Sequence, residues 1–197
     1  MKKIIPYILL VIVTFIACNN EMKTEIEQIQ EEKNIAFNKI LKDDNFSLKL
    51  FSENNKSLNK LIIEFSSDSL LIKKDFVIEG IISNAEIADL DNNGDKELYV
   101  YCNSVGSGSY GNVFSLRLKN KKFEQISFPY TTMNDSIKNG YMGHDLFHIK
   151  DSLLIRVFPI YNKSDINAKP TGGSRIVKYK LDNNSKSLVM LSFIDEK

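Results

Sequence analysis

The stretch LYVYCNSVGSGSYGNVFSLRL, residues 98–118, joins an apolar run to an alternating run through a glycine-rich loop. Strand-like runs on both sides of a short glycine-rich segment are typical of two antiparallel strands joined by a loop. The glycines also fit the G-x-G-x-x-G pattern of nucleotide-binding loops, but a dinucleotide site needs a helix that begins at the loop. A protein-kinase loop is accompanied by H-R-D and D-F-G motifs, which the chain lacks. The stretch therefore predicts strand, loop and strand, and argues against a phosphate site.

Short apolar or alternating runs continue in the same way from residue 46 to residue 197, separated by turn residues such as NNGD and DNNSK. The predicted runs are residues 46–50, 61–65, 75–78 leading into 80–82, 98–102, 112–118, 123–128, 146–149, 153–158, 176–181 and 188–194. No long helical periodicity occurs after residue 45. Residues 46–197 thus predict one all-β domain, either an antiparallel β-sandwich or a closed antiparallel sheet.

The first 17 residues predict a lipoprotein signal peptide. Lys2 and Lys3 precede thirteen apolar residues, 4–16, whereas a membrane-spanning helix needs about 20. The sequence FIAC at residues 15–18 resembles a bacterial lipobox, so we expect cleavage before Cys18 and lipidation of its thiol. Asn19 follows, where aspartate favours inner-membrane retention, so we expect the outer membrane. A plain secretory signal or an uncleaved anchor is the alternative.

Residues 18–45 are polar and charged, which predicts a lipid-anchored tether. Five apolar residues at helix-like spacing predict that the tether is partly helical: Met22, Ile26, Ile29, Ala36 and Ile40. A helix that docks on the domain or on a partner is the alternative.

The charge and cysteine content restrict the classes of partner. Removal of residues 1–17 takes away two lysines, so the net charge falls from +1 to −1, which argues against a nucleic-acid partner. Cys102 then remains as the one thiol, so no disulfide framework is expected. We expect contact with the membrane through the lipid anchor only, and the sequence is compatible with a homodimer.

The loop itself is chemically unusual, because residues 101–116 contain no charged side chain although 26% of the chain is charged. Ser107 and Ser109 offer hydroxyl groups, and Tyr110 offers an aromatic ring with a polar tip. The loop lacks a base or an activated nucleophile, so we predict that the protein is not an enzyme. An uncharged donor-rich loop suits insertion into a cleft lined with carboxylates, and the alternative is a long hairpin loop without a binding role.

Residues 88–100 and 104–110 resemble the family of periplasmic inhibitors of invertebrate-type (I-type) lysozyme. In that family an acidic turn is followed by a strand and by a loop with the motif S-G-x-Y, which Ser107, Gly108, Ser109 and Tyr110 match. The resemblance implies a β-sandwich that plugs the active-site cleft of a lysozyme-like glycosidase with this loop. It implies no catalytic residue and no required cofactor.

The acidic turn DLDNNGDKE is a candidate calcium site, because its oxygen-bearing side chains and its glycine follow the spacing of calcium-binding loops. The candidate ligands are Asp89, Asp91, Asn93, Asp95 and Glu97. It is not an EF-hand, since position 12 is Val100 where a bidentate glutamate is needed. A solvated acidic turn is the alternative interpretation.

His144 and His148 have the spacing of a helical zinc pair, but their surroundings predict a strand or loop, in which such residues lie far apart. Cys102 is expected to be a buried thiol. Two functions follow from the sequence. The first is an envelope lipoprotein that blocks a lysozyme-like glycosidase; the second is a calcium-stabilised envelope β-domain that binds a glycan or a protein without inhibition.

Overall fold

The computed structural model describes residues 36–119, 122–129 and 135–197. The predicted signal peptide, Cys18 and residues 18–35 of the predicted tether lie outside this range, so these expectations stay predictions. Among the residues described, no helix is long and apolar enough to cross a membrane.

The described part of the chain folds into three antiparallel four-stranded sheets, in each of which neighbouring strands are consecutive in sequence. The first sheet contains β1 (Phe37–Lys42), β2 (Ser47–Ser52), β3 (Leu58–Ser67) and β4 (Leu70–Glu79). The second contains β5 (Ile81–Ala88), β6 (Glu97–Asn103), β7 (Gly111–Lys119) and β8 (Lys122–Ile126). A single helical turn, α1 (Asp135–Lys138), precedes the third sheet of β9 (Leu146–Lys150), β10 (Leu153–Pro159), β11 (Ser174–Asp182) and β12 (Ser187–Glu196). The predicted all-β, sandwich-like fold is confirmed.

The second sheet is buried on both faces, and strand β6 shows this most clearly. Leu98, Val100 and Cys102 belong to a core shared with the first sheet. Tyr99 and Tyr101 belong to a core shared with the third sheet. The run LYVYC is continuously apolar because both faces of this strand are covered, whereas a strand with one solvated face would alternate.

Strand β1 lies within residues 18–45, the segment for which the sequence predicted a partly helical tether. It pairs with β2 in antiparallel register, from Phe37 opposite Ser52 to Lys42 opposite Ser47. Phe37 and Leu41 pack against the core of the first sheet, whereas Ile40 is exposed. The packed side chains are two residues apart, as in a strand, so this part of the segment is a strand and not the helix that the spacing of Ala36 and Ile40 had suggested.

The two candidate sites lie at opposite ends of β6. The acidic turn precedes Glu97, and the glycine-rich loop follows Asn103, which pairs with Gly111 of β7. Six residue steps along a strand span about 20 Å. A metal bound at the turn would therefore not be part of the surface around the loop.

Candidate functional site

Two other segments of the chain hold the glycine-rich loop by donating hydrogen bonds to its backbone carbonyls. Asn167, between β10 and β11, donates its amide to the carbonyl of Ser107 at 2.5 Å. The backbone N–H of His144 donates to the carbonyls of Gly108, at 2.8 Å, and Ser109, at 3.2 Å. Three consecutive acceptors of the motif are thus satisfied by two segments that are distant in sequence.

The loop also closes on itself. The backbone N–H of Ser104 donates to the carbonyl of Tyr110 at 2.8 Å, and the Tyr110 N–H returns a bond to the Ser104 hydroxyl at 2.9 Å. A tight turn inside the loop brings the Ser109 N–H to the Gly106 carbonyl at 3.1 Å. These bonds fix the main-chain conformation of the S-G-x-Y motif before any partner binds.

A second glycine segment, residues 140–144, lies directly against the loop. Gly143 has φ +92°, and a Cβ added there would overlap the carbonyl oxygen of Gly108. A Cβ added at Gly108 would in turn lie 2.6 Å from Cε2 of Tyr110. Glycine is required at Gly143 because its backbone has a positive φ and approaches the Gly108 carbonyl too closely for any side chain, whereas a side chain at Gly108 would displace the Tyr110 ring.

A buried ion pair lies beneath the base of the loop. The guanidinium Nε of Arg156 donates to Oδ1 of Asp145 at 2.6 Å, and both side chains are fully buried. Oδ2 of Asp145 accepts the backbone N–H of Gly111 at 2.7 Å and the hydroxyl of Tyr141 at 2.6 Å. The side-chain amide of Asn103 donates to the Asp145 carbonyl at 3.2 Å. Both ends of the loop, Asn103 and Gly111, are therefore bonded to one buried residue.

The positive charge of Arg156 is favoured by its surroundings. Burial lowers the pKa of Arg156, but the Asp145 carboxylate and the neighbouring tyrosines outweigh burial, so the pKa is raised from its ordinary value. The guanidinium also lies over the ring of Tyr141, 5.0 Å from its centroid. The cation is thus held by an anion in its plane and by an aromatic ring on its face.

The ring of Tyr110 packs against this assembly and lies close to Gly108 and Gly143, but the side chain stays partly exposed. Its ring meets that of Tyr141 edge-to-face at 5.6 Å, and the ring of Tyr141 meets that of Phe158 at 4.7 Å. Tyr110 is nevertheless 41% exposed. An aromatic side chain held in a fixed orientation with an open face suits a contact with a partner.

Several donors of the loop remain available. The hydroxyls of Ser107 and Ser109 and the backbone N–H of Gly108 have no partner within residues 36–119, 122–129 and 135–197. No peptide bond of the described chain is cis, so the Gly108 N–H points opposite to the Ser107 carbonyl, which faces Asn167. The supporting segments therefore occupy the carbonyl oxygens of the motif, whereas the two serine hydroxyls and the Gly108 N–H can still donate to a ligand.

At the other end of β6, three of the five candidate calcium ligands come together. Ligand oxygens of Asp89, Asp91 and Glu97 lie within 4.8 Å of one another. Asn93 instead turns its amide oxygen to the backbone N–H of Asp95 at 2.7 Å. The carboxylate of Asp95 is not part of the group.

An internal cation already lies at this carboxylate group. Arg117 donates to Oδ2 of Asp91 at 2.7 Å and approaches Oε1 of Glu97 at 3.4 Å. Burial raises the pKa of Glu97 to about 7, against the lowering effect of the hydrogen bonds from Leu90 and Tyr99 and of the Arg117 charge. Arg117 supplies positive charge where a bound metal would supply it, so calcium would have to share or displace this contact.

The two histidines lie on a strand and in a loop, and Cys102 lies in the core. His148 lies on β9 with its side chain exposed, and His144 lies in the segment before β9. The ring Nε2 of His144 is 3.1 Å from Oδ1 of Asn167. Cys102 is buried in the core, and burial raises the pKa of its thiol to about 12. The prediction of a buried thiol is confirmed.

Sequence reasoning missed the residues that support the loop, namely Asn103, Tyr141, Asp145, Arg156 and Asn167. One signal was present, because the chain has very few arginines among its basic residues. All three pair with carboxylates: Arg117 with Asp91, Arg156 with Asp145 and Arg175 with Asp195. The planar guanidinium has donors in fixed directions and suits such pairs better than the ammonium group of lysine. Each of the three arginines in this lysine-rich chain therefore indicated a structural ion pair.

The fold and the loop together define a class of protein, β-domains that present a preformed, uncharged loop at one end. Residues 43–139 match the family model described as periplasmic lysozyme inhibitor of I-type lysozyme, so this segment of the chain is similar to that family. The resemblance seen in the sequence is therefore confirmed. Comparison with curated proteins and with solved structures gave no match. The matched segment contains the loop and the acidic turn, whereas the residues from Tyr141 onward that support the loop lie C-terminal to it.

Proposed function

We propose that this protein is a lipid-anchored protein of the bacterial envelope that inhibits an I-type-like lysozyme by inserting the loop of Ser107, Gly108, Ser109 and Tyr110 into its active-site cleft. The observation that carries the proposal is the uncharged loop, whose carbonyls are bonded to the protein, whereas the hydroxyls of Ser107 and Ser109 and the N–H of Gly108 are not bonded within the described residues. The family match over the same residues supports it. The protein then acts by binding and not by catalysis.

The chemistry of the target cleft matches the groups that the loop offers. Lysozymes cleave glycosidic bonds with two carboxyl groups, of which one is ionised. The hydroxyls of Ser107 and Ser109 and the N–H of Gly108 can donate to carboxylate oxygens, and such charge-assisted bonds are roughly twice as strong as neutral ones. No carboxylate of the loop opposes those of the cleft, since residues 101–116 carry no charge.

The rigidity of the loop favours tight binding. The main chain of the motif is fixed by bonds to His144 and Asn167 and by the turn from Gly106 to Ser109. A loop that is already ordered loses little conformational entropy when it enters a cleft, so more of the contact energy is expressed as affinity.

The direct test is a bacterial lysis assay with I-type, chicken-type and goose-type lysozymes, in the presence of the purified protein. We expect inhibition of the I-type enzyme and little inhibition of the other two classes. Undiminished lysis by every I-type enzyme, at protein concentrations well above that of the enzyme, would contradict the proposed function.

The lipid anchor is tested separately at Cys18, which lies outside the described residues. Cells that express the protein should incorporate labelled palmitate into it, and Cys18→Ser should remove both the label and the membrane association. Cys102→Ser is the matched control and should retain the label, because Cys102 is a buried core residue. Retention of label and membrane fraction by Cys18→Ser would exclude the lipoprotein assignment.

The second candidate function is a calcium-stabilised envelope β-domain that binds a glycan or a protein without inhibition. The observation that favours it is the group of three carboxylates from Asp89, Asp91 and Glu97. A metal that binds only the folded state at 100 times its Kd stabilises that state by about 2.7 kcal/mol. If calcium binds, the thermal midpoint should therefore rise clearly in calcium relative to chelator.

Two variants localise that response. Asp91→Ala should abolish it, whereas Asp95→Ala should retain it, because the Asp95 carboxylate lies outside the group although it belongs to the same turn. Identical melting curves of the parent in calcium and in chelator would leave Arg117 as the cation that satisfies these carboxylates.

A further inference from the structure

Two exposed apolar side chains flank the loop and come from segments that are remote from it in sequence. Met142, between α1 and β9, is 38% exposed, and Ile166, between β10 and β11, is 63% exposed. Together with Tyr110 they make three large, solvent-exposed apolar groups at the same end of the molecule. We call these three residues the loop-flanking patch.

Backbone and neighbouring-residue contacts place the segments that carry Met142 and Ile166 beside the S-G-x-Y motif. The carbonyl oxygen of Met142 lies 3.1 Å from the position of a Cβ added at Gly108, so the Met142 backbone touches the loop. Ile166 adjoins Asn167, whose amide bonds to the Ser107 carbonyl. Met142 and Ile166 therefore border adjacent residues of the motif.

The segments that carry Met142 and Ile166 are themselves fixed. The backbone N–H of Lys169 donates to the Ile166 carbonyl at 2.9 Å, and the hydroxyl of Tyr161 donates to the Asn167 carbonyl at 2.9 Å. On the other side, the bonds from the His144 N–H to the loop hold residues 140–144. The patch is thus a preformed surface in which each residue keeps its place relative to the motif.

The segments that carry Met142 and Ile166 lack exposed acidic groups, whereas on the other side Glu79 lines the same surface depression as Tyr110. Residues 139–144 and 166–168 contain no lysine, arginine, aspartate or glutamate. Asp145 is buried in its pair with Arg156, and Asp165 is engaged by the N–H groups of Asn162 and Thr171, both at 2.8 Å. Exposed Lys163 and Lys169 lie just beyond. An uncharged centre with a basic margin is complementary to the rim of a cleft that contains carboxylates.

We propose that the loop-flanking patch is part of the inhibitory interface and is covered by the rim of the lysozyme cleft when the loop enters it. This inference rests on the proposed function. Apolar contacts around a set of central hydrogen bonds exclude water from them, which is how protein interfaces strengthen their polar centre. The interface is then built from three segments, two of which lie C-terminal to the residues that match the inhibitor family.

The test replaces the apolar groups without touching the loop. Met142→Ser, Ile166→Ser and the double variant are compared with Leu71→Ser, a control at a 70% exposed residue of β4, in the full chain. Each single variant should weaken inhibition of an I-type lysozyme by about 10-fold and the double variant by more. Leu71→Ser should leave inhibition within about twofold of the parent, and all variants should melt at the parent temperature.

Each outcome decides between the alternatives. If Tyr110→Ala loses inhibition but the Met142→Ser/Ile166→Ser double variant inhibits like the parent, the patch is not part of the interface and the loop mechanism stands. If the parent inhibits no I-type lysozyme, the proposed function and the patch fall together. If the double variant converts a dimer to a monomer with inhibition unchanged, the patch is a self-association surface and the inference is wrong.

Discussion

Replacement of Arg156 by methionine should lower the free energy of unfolding by about 3–5 kcal/mol, the typical cost of breaking a buried ion pair from one side. Methionine fills a similar space without charge. The Asp145 carboxylate would keep its bonds from the Gly111 N–H and the Tyr141 hydroxyl but would lose its counter-charge. For a domain of this size the thermal midpoint should fall by roughly 6–20 °C, measured by circular dichroism.

Two controls separate charge burial from the mere loss of a basic residue. Lys49→Met breaks the Lys49–Glu64 pair, which is 3.4 Å long with Lys49 61% exposed, and should cost at most about 1 kcal/mol. Asp145→Asn combined with Arg156→Met should recover part of the loss, because no unpaired charge remains buried. Equal and small losses for Arg156→Met and Lys49→Met would show that the buried pair does not stabilise the domain.

The same variant should also affect the loop. Asp145 holds the Gly111 N–H through its side chain and accepts the Asn103 side-chain amide at its carbonyl, so it fixes both ends of the loop. A shift of Asp145 would loosen the S-G-x-Y motif and increase the entropy that the loop loses on binding. Arg156→Met protein that is still folded at low temperature should therefore inhibit less strongly than the parent.

The strands could be predicted from the sequence because the signals for a strand lie in neighbouring residues. Every run predicted from residue 46 onward overlaps a strand, since alternation and turn residues such as the NNGD segment report on the immediate neighbours. The continuous apolar run from Leu98 to Cys102 also indicated a strand. The sequence did not predict that two further sheets cover the two faces of this strand. A continuous apolar run indicates burial on both sides but does not identify the residues that pack against it.

The supports of the loop could not be predicted because they join residues that are far apart in the chain. The Gly111 N–H reaches a carboxylate 34 residues later, and the Ser107 carbonyl reaches an amide 60 residues later. No periodicity encodes such pairs in a single sequence. The uncharged, donor-rich character of the loop was visible in the sequence, the family resemblance indicated the S-G-x-Y residues as its binding motif, and the structure adds why they keep one conformation.

Replacement of Tyr110 by alanine should weaken inhibition of an I-type lysozyme by at least about 30-fold. Loss of a central aromatic anchor typically costs about 2 kcal/mol or more, which corresponds to that factor. The fold should change little, because Tyr110 is 41% exposed and its one described ring contact is with Tyr141. Such an aromatic pair contributes about 0.5–1.5 kcal/mol. Inhibition constants and melting curves of the variant and the parent measure the two effects.

Matched substitutions distinguish the ring, the hydroxyl and the charge of the loop. Tyr110→Phe keeps the ring and should inhibit within about threefold of the parent if stacking against the cleft wall provides most of the energy. Ser107→Asp would place a carboxylate against the carboxylates of the cleft, whereas Ser107→Asn has nearly the same shape without charge. We expect the aspartate variant to inhibit much less strongly than the asparagine variant, and the gap to narrow as salt is added. If Tyr110→Ala and Ser107→Asp both inhibit like the parent, the loop does not enter the cleft, and an inhibitory surface must lie elsewhere on the domain.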